Sequence, residues 1–459
     1  MDRRQFLGGL GASLGAASIG CGDRLTAEPP PGSACKEARD CTAEQLLAGI
    51  ETIVVLCMEN RSFDHVLGSL RLEERADVDG LTGTESNPDR DGNPVAVHPL
   101  DDVTLADPPH NWNACHQQWN GGANNGFVQA HAGAHQADVM GYLVRAQRPV
   151  TFALADAGVV CHRWFSACLG PTWPNRAYLH AATSRGMQQN QPMLFLKPTI
   201  WDRLAGVRLD GINYYHDLPW VLGGFGQTSG LAPVEQFFED AAASALPPLA
   251  VIDPAFFGGG ANDDHPNHDI PLGQALIASV VAALGASPQW NRCLFVLLYD
   301  EHGGLFDHVA PPAVSPEVEP EAAFGRLGFR VPSLVLGPHV RRGHAVDTVF
   351  EHSSIPATVC RRFGLPPLNP RAAAAADLSS CIDPLRLDAP LPPPQLPRVE
   401  ISAQRLDALQ AGAPAVHDEL AAALAARPAP AGLDRRGETD QIVRRVLRWG
   451  EQLGAVRIR

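Results

Sequence analysis

Two pairs of oxygen-bearing side chains directly follow the most apolar stretches of the sequence. Glu59-Asn60 comes after "TIVVLCM", and Asp300-Glu301 comes after "CLFVLLY". In an open α/β sheet, ligands bind outside the carboxyl ends of the strands, so the two pairs are expected at one edge. Three carboxylates and an amide oxygen repel one another there unless a cation lies between them. The pattern therefore predicts a divalent metal site, although either pair alone would fit a helix cap or a solvated loop.

A hydroxyl that could act as a nucleophile lies in "GPTWPNRAYLHAAT". Gly170 and Pro171 predict a turn, and Thr172 stands before a helical stretch with Pro174 in its first turn. In one interpretation Thr172 only caps this helix. In the other it is a nucleophile at a helix N-terminus, where amide N–H groups favour anions and a coordinated metal activates the hydroxyl. These residues alone leave both interpretations open.

Histidines recur beside acidic or proline residues. They stand in "DPPHNW", "NDDHPNHD", "DEHGGLFDH" and "FEHSS", and are His110, His265, His268, His302, His308 and His352. A single histidine is usually structural, but so many in acidic loop segments suit metal ligation or hydrogen bonds to phosphoryl oxygens.

The segments that must position these side chains alternate between strand and helix patterns. "TIVVLCM", "LAVID", "CLFVLLY" and "PSLVLG" are continuously apolar, as strands buried on both faces of a parallel sheet are. Helical patterns over 273–285 and 353–364 lie between or after them, and the Gly-, Asn- and Pro-rich residues 83–126 predict loops over one end of the sheet. The predicted fold is an α/β sandwich with a mainly parallel central sheet flanked by helices.

Composition limits the partners of this chain. It has 459 residues, 45% of them apolar, and 36 Lys+Arg against 50 Asp+Glu give a formal net charge of −14. Nucleic acid is therefore not expected as a partner, because phosphate backbones require clustered basic side chains. Residues 48–385 are expected to form one large domain, followed by a Pro-rich linker and a helical C-terminal tail over 386–459.

The N-terminus predicts export. Residues 1–21 carry Arg3-Arg4 and a mildly apolar stretch too short to span a bilayer, which resembles a twin-arginine signal. This predicts the twin-arginine (Tat) export machinery as a partner and a periplasmic, secreted or envelope location. Cys21 is a candidate for lipid anchoring, although Ser18 stands where Leu is usual.

The ten cysteines fit a disulfide-permissive compartment. Cys35 and Cys41 lie close together in a polar segment and are predicted to pair. Four others stand in apolar runs and are predicted to be core thiols: Cys57, Cys161, Cys293 and Cys360.

Seven motifs, taken in order, resemble the bacterial phosphoesterase family of non-haemolytic phospholipases C and related acid phosphatases. They are "MENRSFDHVLG", "DPPHNW", "NGGANNGFV", "GPTWPNR", "DDHP", "YDEHGGLFDHVAPP" and "EHSSIPATV". The resemblance implies an alkaline-phosphatase-like core and hydrolysis of phosphate esters. It also implies a metal bound by five residues, which are Glu59, Asn60, Thr172, Asp300 and Glu301.

The same resemblance makes Thr172 the nucleophile, through a phospho-threonine intermediate, and implies that His110, His265 and His352 bind the phosphoryl group together with Asn60. Six further residues are expected to support the site: Asp64, His65, His268, His302, Asp307 and His308. Oxygen ligands suit Ca²⁺, Mg²⁺ or Mn²⁺, while the nearby histidines also admit Zn²⁺.

The favoured interpretation is an exported phospholipase C, with a phospholipid substrate and association with the membrane surface. The alternative is a periplasmic acid phosphatase that acts on small phosphomonoesters. A non-catalytic envelope lipoprotein fits less well, because Thr172 and both acidic pairs are intact. A sulfatase fits less well too, because its nucleophile position requires Cys or Ser.

Overall fold

The computed structural model describes residues 40–73, 75–101, 103–131, 133, 135–194, 196–315, 322–408 and 417–459. These residues belong to one compact unit. The predicted export signal and Cys35 lie outside them. Cys41 is disulfide-bonded. The four predicted core thiols are free and buried, as expected.

One eight-stranded sheet organises the described part of the chain. Its strands are β1 (Thr52–Met58), β2 (Val159–Val160), β3 (Gly211–Tyr215), β4 (Leu231–Pro233), β5 (Leu249–Asp253), β6 (Cys293–Tyr299), β7 (Ser333–Leu336) and β8 (His344–Ala345). Their order is β8-β2-β7-β6-β1-β5-β3-β4. Seven strands run in one direction, and β7 alone runs antiparallel to its neighbours.

The predicted sandwich with a mainly parallel sheet is confirmed, but the segment "PSLVLG" is an exception. It forms β7, which pairs antiparallel with β6. A parallel return to the sheet needs a long crossover, usually through a helix. The described residues between β6 and β7 contain no α-helix, so the chain comes back in the opposite direction.

Fifteen α-helices lie in the described part of the chain. They are α1 (Ala43–Leu47), α2 (Phe63–Leu67), α3 (Trp112–Trp119), α4 (Phe127–Ala130), α5 (Pro149–Ala157), α6 (Thr172–Ala181), α7 (Ile200–Ala205), α8 (Trp220–Phe225), α9 (Val234–Ala243), α10 (Ile270–Ala286), α11 (Ser354–Arg362), α12 (Pro370–Ala374), α13 (Ala403–Ala408), α14 (Asp418–Ala426) and α15 (Thr439–Gln452).

Helices cover both faces of the sheet. Every residue of β1 and β6 is buried, which is possible only if side chains on both faces are covered. Helices α5, α9 and α15 all pack on α10, while α11 and α7 pack on α6. The predicted helices 273–285 and 353–364 are thus present as α10 and α11.

Residues 83–126 are more ordered than the predicted loops. They contain α3 and the short strand pair Ser86–Pro88 with Pro94–Ala96. Helix α3 begins at an Asn111 cap, whose side chain accepts from the N–H of Ala114 (3.0 Å). The cap supplies a helix start that the Gly- and Asn-rich composition conceals.

The residues after 385 pack against the same core as the rest of the unit. Helix α15 buries Ile442, Val443, Val446 and Leu447, which lie on one face of the helix and face α10. The boundary near 385 stays a prediction, but the segment beyond it contributes to the main hydrophobic core. Among the described helices, none combines the length and apolar character required to cross a bilayer.

Candidate active site

The carboxyl ends of β1 and β6 meet at one edge of the sheet. The strands pair with Met58 opposite Tyr299, so the residues that follow them are neighbours. The N–H of Asp300 donates to the carbonyl of Met58 (3.1 Å), and the N–H of Asn60 donates to Oδ1 of Asp300 (2.8 Å). The structure therefore brings the two predicted pairs together.

Two backbone segments, the loop after β6 and the end of β1, approach each other closely at this edge. Asn60 has a φ of +57°, in the left-handed region that Asn tolerates better than most residues. Gly303 has a φ of +64°, and a Cβ there would lie 2.1 Å from the carbonyl oxygen of Asn60. Glycine at this position lets the loop after β6 press against the end of β1.

Thr172 faces this edge from helix α6. It is the first residue of the helix, and the N-cap is Pro171, so the capping interpretation of Thr172 is wrong. Its hydroxyl donates towards two oxygens, Oε2 of Glu59 (3.4 Å) and Oδ1 of Asn60 (3.3 Å). The side chain is 5% exposed, and it lies where the strand ends and the helix N-terminus meet.

Arg176 is a site residue that the sequence reasoning missed. It lies one helical turn after Thr172 and is fully buried. Its Nε donates to Oε1 of Glu59 (2.9 Å), and Nη2 contacts the same oxygen. Its Nη1 lies 3.4 Å from Oδ1 of Asp253, the last residue of β5. The i, i+4 spacing from Thr172 is the signal that could have identified it.

Buried carboxylates crowd this edge. Burial raises the pKa of Glu59 well above its usual range although Arg176 opposes the shift, and burial and Glu301 raise the pKa of Asp300. The neighbouring carboxyl group of Asp300 raises the pKa of Glu59 further. Two buried acids in contact require either a shared proton or a cation to balance their charge.

The donor chemistry fits a hard cation. Oδ2 of Asp300 and Oε1 of Glu301 are buried and have no hydrogen-bond partner among the described residues. Together with the oxygens of Thr172 and Asn60, they form an oxygen set of the kind that Ca²⁺, Mg²⁺ or Mn²⁺ prefers. An unsatisfied buried oxygen is costly, so a bound ion would relieve both atoms.

The described residues contain two compact groups of metal-ligating side chains, of which one borders this edge and the other lies apart from it. One is Asp107, His110 and His265, and the other is Asp64, Asp307 and His308. The carboxylates of Glu59, Asp300 and Glu301 do not make a third group of that compactness. A cation bound by all three would therefore draw them together.

His110 borders the strand ends. Its Nε2 lies 3.2 Å from Nδ2 of Asn60 and 4.0 Å from Oε1 of Glu301, while Nδ1 lies 2.7 Å from the carbonyl of Pro108. Burial lowers the pKa of His110, but Glu301 and Asp107 outweigh it and raise the pKa to about 9. An imidazole this close to the strand ends is within reach of a phosphoryl oxygen bound there.

His265 and His268 lie next to His110, and these three imidazoles form the histidine wall of the site. The rings of His110 and His265 are 6.2 Å apart, and those of His265 and His268 are 5.5 Å apart. Asp263 accepts from the N–H of His265 (3.0 Å) and binds Nδ1 of His268 (2.6 Å). Burial, together with the neighbouring His417, holds the pKa of His265 well below its usual range.

His352 lies differently from its predicted role. Its Nε2 contacts the carbonyl oxygen of Asp300, and Nδ1 accepts from Nε1 of Trp164 (3.3 Å). Both ring nitrogens are therefore engaged, and the side chain is 1% exposed. This geometry positions Asp300 and does not offer an atom to a phosphoryl group, because both ring nitrogens already have a hydrogen-bond partner.

His302 supports the second acidic residue of its pair. Its Nδ1 lies 3.0 Å from Oε2 of Glu301, and its Nε2 lies 2.8 Å from Oε1 of Gln118. The N–H of Gly303 donates to the same Oε2 of Glu301 (2.9 Å). These contacts fix Oε2 of Glu301 and leave Oε1 without a hydrogen-bond partner among the described residues, while the supporting role of His302 stays a prediction.

Asp64, Asp307 and His308 form a separate charged cluster around Arg330. Nε of Arg330 donates to Asp307 (2.8 Å), Nη2 donates to Asp64 (3.0 Å), and His308 binds Asp64 through Nδ1 (2.7 Å). Burial raises the pKa of Asp307 to about 6. The two basic groups balance the two acids, so Asp64 does not orient the predicted metal ligands.

His65 also lies away from the metal candidates. Its ring bonds Arg61 (2.8 Å) and the carbonyl of Gly141 (2.9 Å). The preceding Ser62 caps α2 by accepting from the N–H of His65 (3.2 Å). The polar side chains of the junction after β1 are thus divided between the sheet edge near Thr172 and two separate hydrogen-bond networks.

The sequence model of the phosphoesterase family matches residues 50–213 and 202–366. Non-specific phospholipase C6 of Arabidopsis thaliana is 34% identical over 410 residues, covering 80% of this chain and 79% of that protein. Non-specific phospholipase C3 of the same plant is 36% identical over 419 residues, covering 78% and 79%. Phospholipase C A of Mycobacterium tuberculosis is 29% identical over 439 residues, covering 80% and 81%.

Solved structures show only a distant similarity to this chain. A protein in the alkaline phosphatase superfamily from Vibrio parahaemolyticus matches 72% of this chain and 70% of its own, with 12% identity and a TM-score of 0.35. The phosphonate monoester hydrolase of Agrobacterium radiobacter matches 72% and 77%, with 12% identity and a TM-score of 0.36. The sequence comparisons carry the assignment: the chain belongs to the phosphoesterase family, hydrolases that act on phosphate esters.

Proposed function

We propose that this protein is an exported, metal-dependent phospholipase C that forms a phospho-threonine intermediate. The observation that carries the proposal is the position of the Thr172 hydroxyl, which lies between Glu59 and Asn60 at the N-terminus of α6. The similarity to plant non-specific phospholipases C over most of the chain supports a phospholipid substrate.

The site residues divide the chemical work. A divalent cation bound at Glu59, Asn60, Thr172, Asp300 and Glu301 would polarise a phosphoryl oxygen and lower the pKa of the attacking hydroxyl. The Thr172 hydroxyl proton passes to Oε2 of Glu59, 3.4 Å away, while Arg176 holds the other oxygen of that carboxylate. Oγ1 of Thr172 then attacks phosphorus as the bond to the alcohol breaks.

The remaining residues stabilise charge and complete the cycle. His110, His265 and Asn60 face the non-bridging oxygens, where negative charge is concentrated in phosphoryl transfer. The departing alcohol, which is diacylglycerol for a phospholipid, takes a proton from water. Water then attacks the phospho-threonine and releases the phosphorylated headgroup, and the proton held by Glu59 returns to Oγ1 of Thr172.

The test compares three variants of the full chain. Thr172→Ala is expected to lower turnover by several orders of magnitude, because binding alone does not replace covalent catalysis. Thr172→Ser keeps a hydroxyl and retains part of the activity. Thr199→Ala is the matched control, since Thr199 is a true N-cap, of α7. Its loss costs about 1 kcal/mol of stability and leaves turnover unchanged.

Two results would decide the substrate and the nucleophile. Turnover of phosphatidylcholine supports the phospholipase, whereas turnover of p-nitrophenyl phosphate alone would favour the acid phosphatase. A phosphorylated peptide containing Thr172, trapped by acid quench, supports the covalent intermediate. Full activity of Thr172→Ala would refute it and leave direct attack by water.

A further inference from the structure

The buried carboxylate of Asp263 connects the histidine wall to the C-terminal segment. Oδ1 of Asp263 accepts from the N–H of His265 (3.0 Å) and binds Nδ1 of His268 (2.6 Å). Its Oδ2 binds Nε2 of His417 (2.9 Å), which lies 154 positions later in the chain. Its carbonyl accepts from the N–H of Glu59 (2.8 Å). Asp263 is 0% exposed, so these partners replace water entirely.

His417 is held in place from several sides. Its ring lies 5.2 Å from that of Phe256, 6.1 Å from that of Phe257 and 5.5 Å from that of His265. It directly precedes α14, and its side chain is 10% exposed. These three ring contacts enclose the imidazole more than is usual for a surface histidine. They also orient Nε2 towards Asp263.

His268 supplies an independent sign of a ligand. Its Nδ1 is bound to Asp263, while Nε2 is buried and has no hydrogen-bond partner in the described part of the chain. The residue is 4% exposed and lies beside His265. An oriented imidazole with one unsatisfied buried nitrogen is expected to meet a polar group that arrives with the substrate.

We propose that His417 is a positioning residue of the active site, which acts through Asp263 to hold the backbone at His265 and the imidazole of His268 in place for a phosphate group. The proposal rests on the proposed function for the identity of the substrate, and it extends the site to the segment after residue 385. Without His417, Oδ2 of Asp263 is buried without a donor. The carboxylate then turns to find another partner and releases the imidazole of His268 and the backbone N–H of His265.

The test uses the full chain with His417→Leu, His417→Gln and the control His135→Leu, whose side chain is 72% exposed. Binding of inorganic phosphate is measured by calorimetry, and kcat and KM are measured separately. We expect His417→Leu to weaken phosphate binding and to lower kcat/KM by about tenfold. His417→Gln restores most of both, because its amide N–H can donate to Asp263. The control behaves as the wild type.

A double variant separates positioning from general stabilisation. If His417 acts through Asp263, then His417→Leu adds little further loss of phosphate affinity to Asp263→Asn. Should Asp263→Asn fail to fold, His268→Gln takes its place in the same comparison. Multiplicative losses would overturn the proposal. Equal impairment of the Leu and Gln variants with equal falls in melting temperature would also overturn it, as would wild-type affinity in His417→Leu.

The proposed function and the positioning role of His417 can be disproved independently of each other. If the wild type hydrolyses no phospholipid and no monoester but binds phosphate, the phospholipase assignment is wrong while the affinity comparison still tests His417. If the wild type binds no phosphate at all, the inference about His417 is refuted.

Discussion

Replacement of Arg176 should reveal how strongly the buried acids depend on one cation. Arg176→Met keeps most of the volume of the side chain but removes the guanidinium, which contacts Glu59, Asp253 and the carbonyl of Cys57. The side chains of Arg176 and Glu59 are 0% exposed, so water does not replace the lost partner. Cation–π contact with Phe256, at 5.3 Å, is lost as well.

The magnitude follows from the cost of an unpaired buried charge. Removing one partner of a buried ion pair costs about 3–5 kcal/mol. For a chain of 459 residues, the entropy of unfolding is roughly 1 kcal/mol per K. The melting temperature of Arg176→Met should therefore fall by about 3–5 °C. Chelator is present in every sample, because a bound cation would add stability of its own.

Differential scanning calorimetry of a double-mutant cycle tests this reasoning. Adding Glu59→Gln to Arg176→Met removes the uncompensated carboxylate and should recover more than half of the lost stability. The control Arg361→Met breaks a surface pair with Glu44, whose arginine side chain is 49% exposed, and should cost no more than about 1 kcal/mol. If the double variant melts as low as the two single losses combined, Arg176 does not stabilise the fold through Glu59.

Chelation should abolish hydrolysis and leave the far-UV circular dichroism unchanged, because the strands that carry the acidic pairs belong to a large core; unfolding on chelation would make the site structural. His308 should stabilise the fold less as pH rises. Burial lowers its pKa but the bond to Asp64 outweighs this and raises it to about 10, so its contribution is complete below the unfolded value of about 6.5 and is lost between about 6.5 and 10. The melting temperatures of wild type and His308→Gln should therefore converge over that range, and a constant difference would contradict the assignment. Replacement of Arg3 and Arg4 by Lys should keep the protein in the cytoplasm if export uses the twin-arginine route, and mature protein outside the cytoplasm would show another route. Labelling with radioactive palmitate tests Cys21, and an unlabelled protein has no lipid anchor there.

The strand ends could be predicted from the sequence because strands buried on both faces appear there as uninterrupted apolar runs. Apolar runs that stop at Glu59 and Asp300 indicate strands buried on both faces, and parallel strands bring their carboxyl ends to one edge. The cap at Ser62 was also predictable from residue type. These features depend on neighbours in sequence, and the sequence displays them.

Features that depend on distant partners could not be predicted in this way. Nothing in the local sequence of His352 shows that Trp164 and the carbonyl of Asp300 occupy its two ring nitrogens. The pairing of Arg330 with Asp64 joins residues 266 positions apart, and Arg330 lies shortly before the antiparallel strand β7, which begins at Ser333. His417 stands in an Ala- and Pro-rich segment, and only tertiary packing brings it to Asp263.

The packing of the last helices has a consequence for the order of synthesis. Helix α15 covers α10, and a Cβ at Gly450 would lie 2.2 Å from Oγ of Ser279, so the two helices fit closely. The packing of α15 on α10 and the contact of His417 with Asp263 cannot form until nearly the whole chain has left the ribosome. The nascent chain therefore carries Thr172 and both acidic pairs long before those contacts exist. A ribosome-bound chain that stops before His417 should contain every predicted metal ligand. It should still lack the contact of His417 with Asp263, which supports the histidine wall.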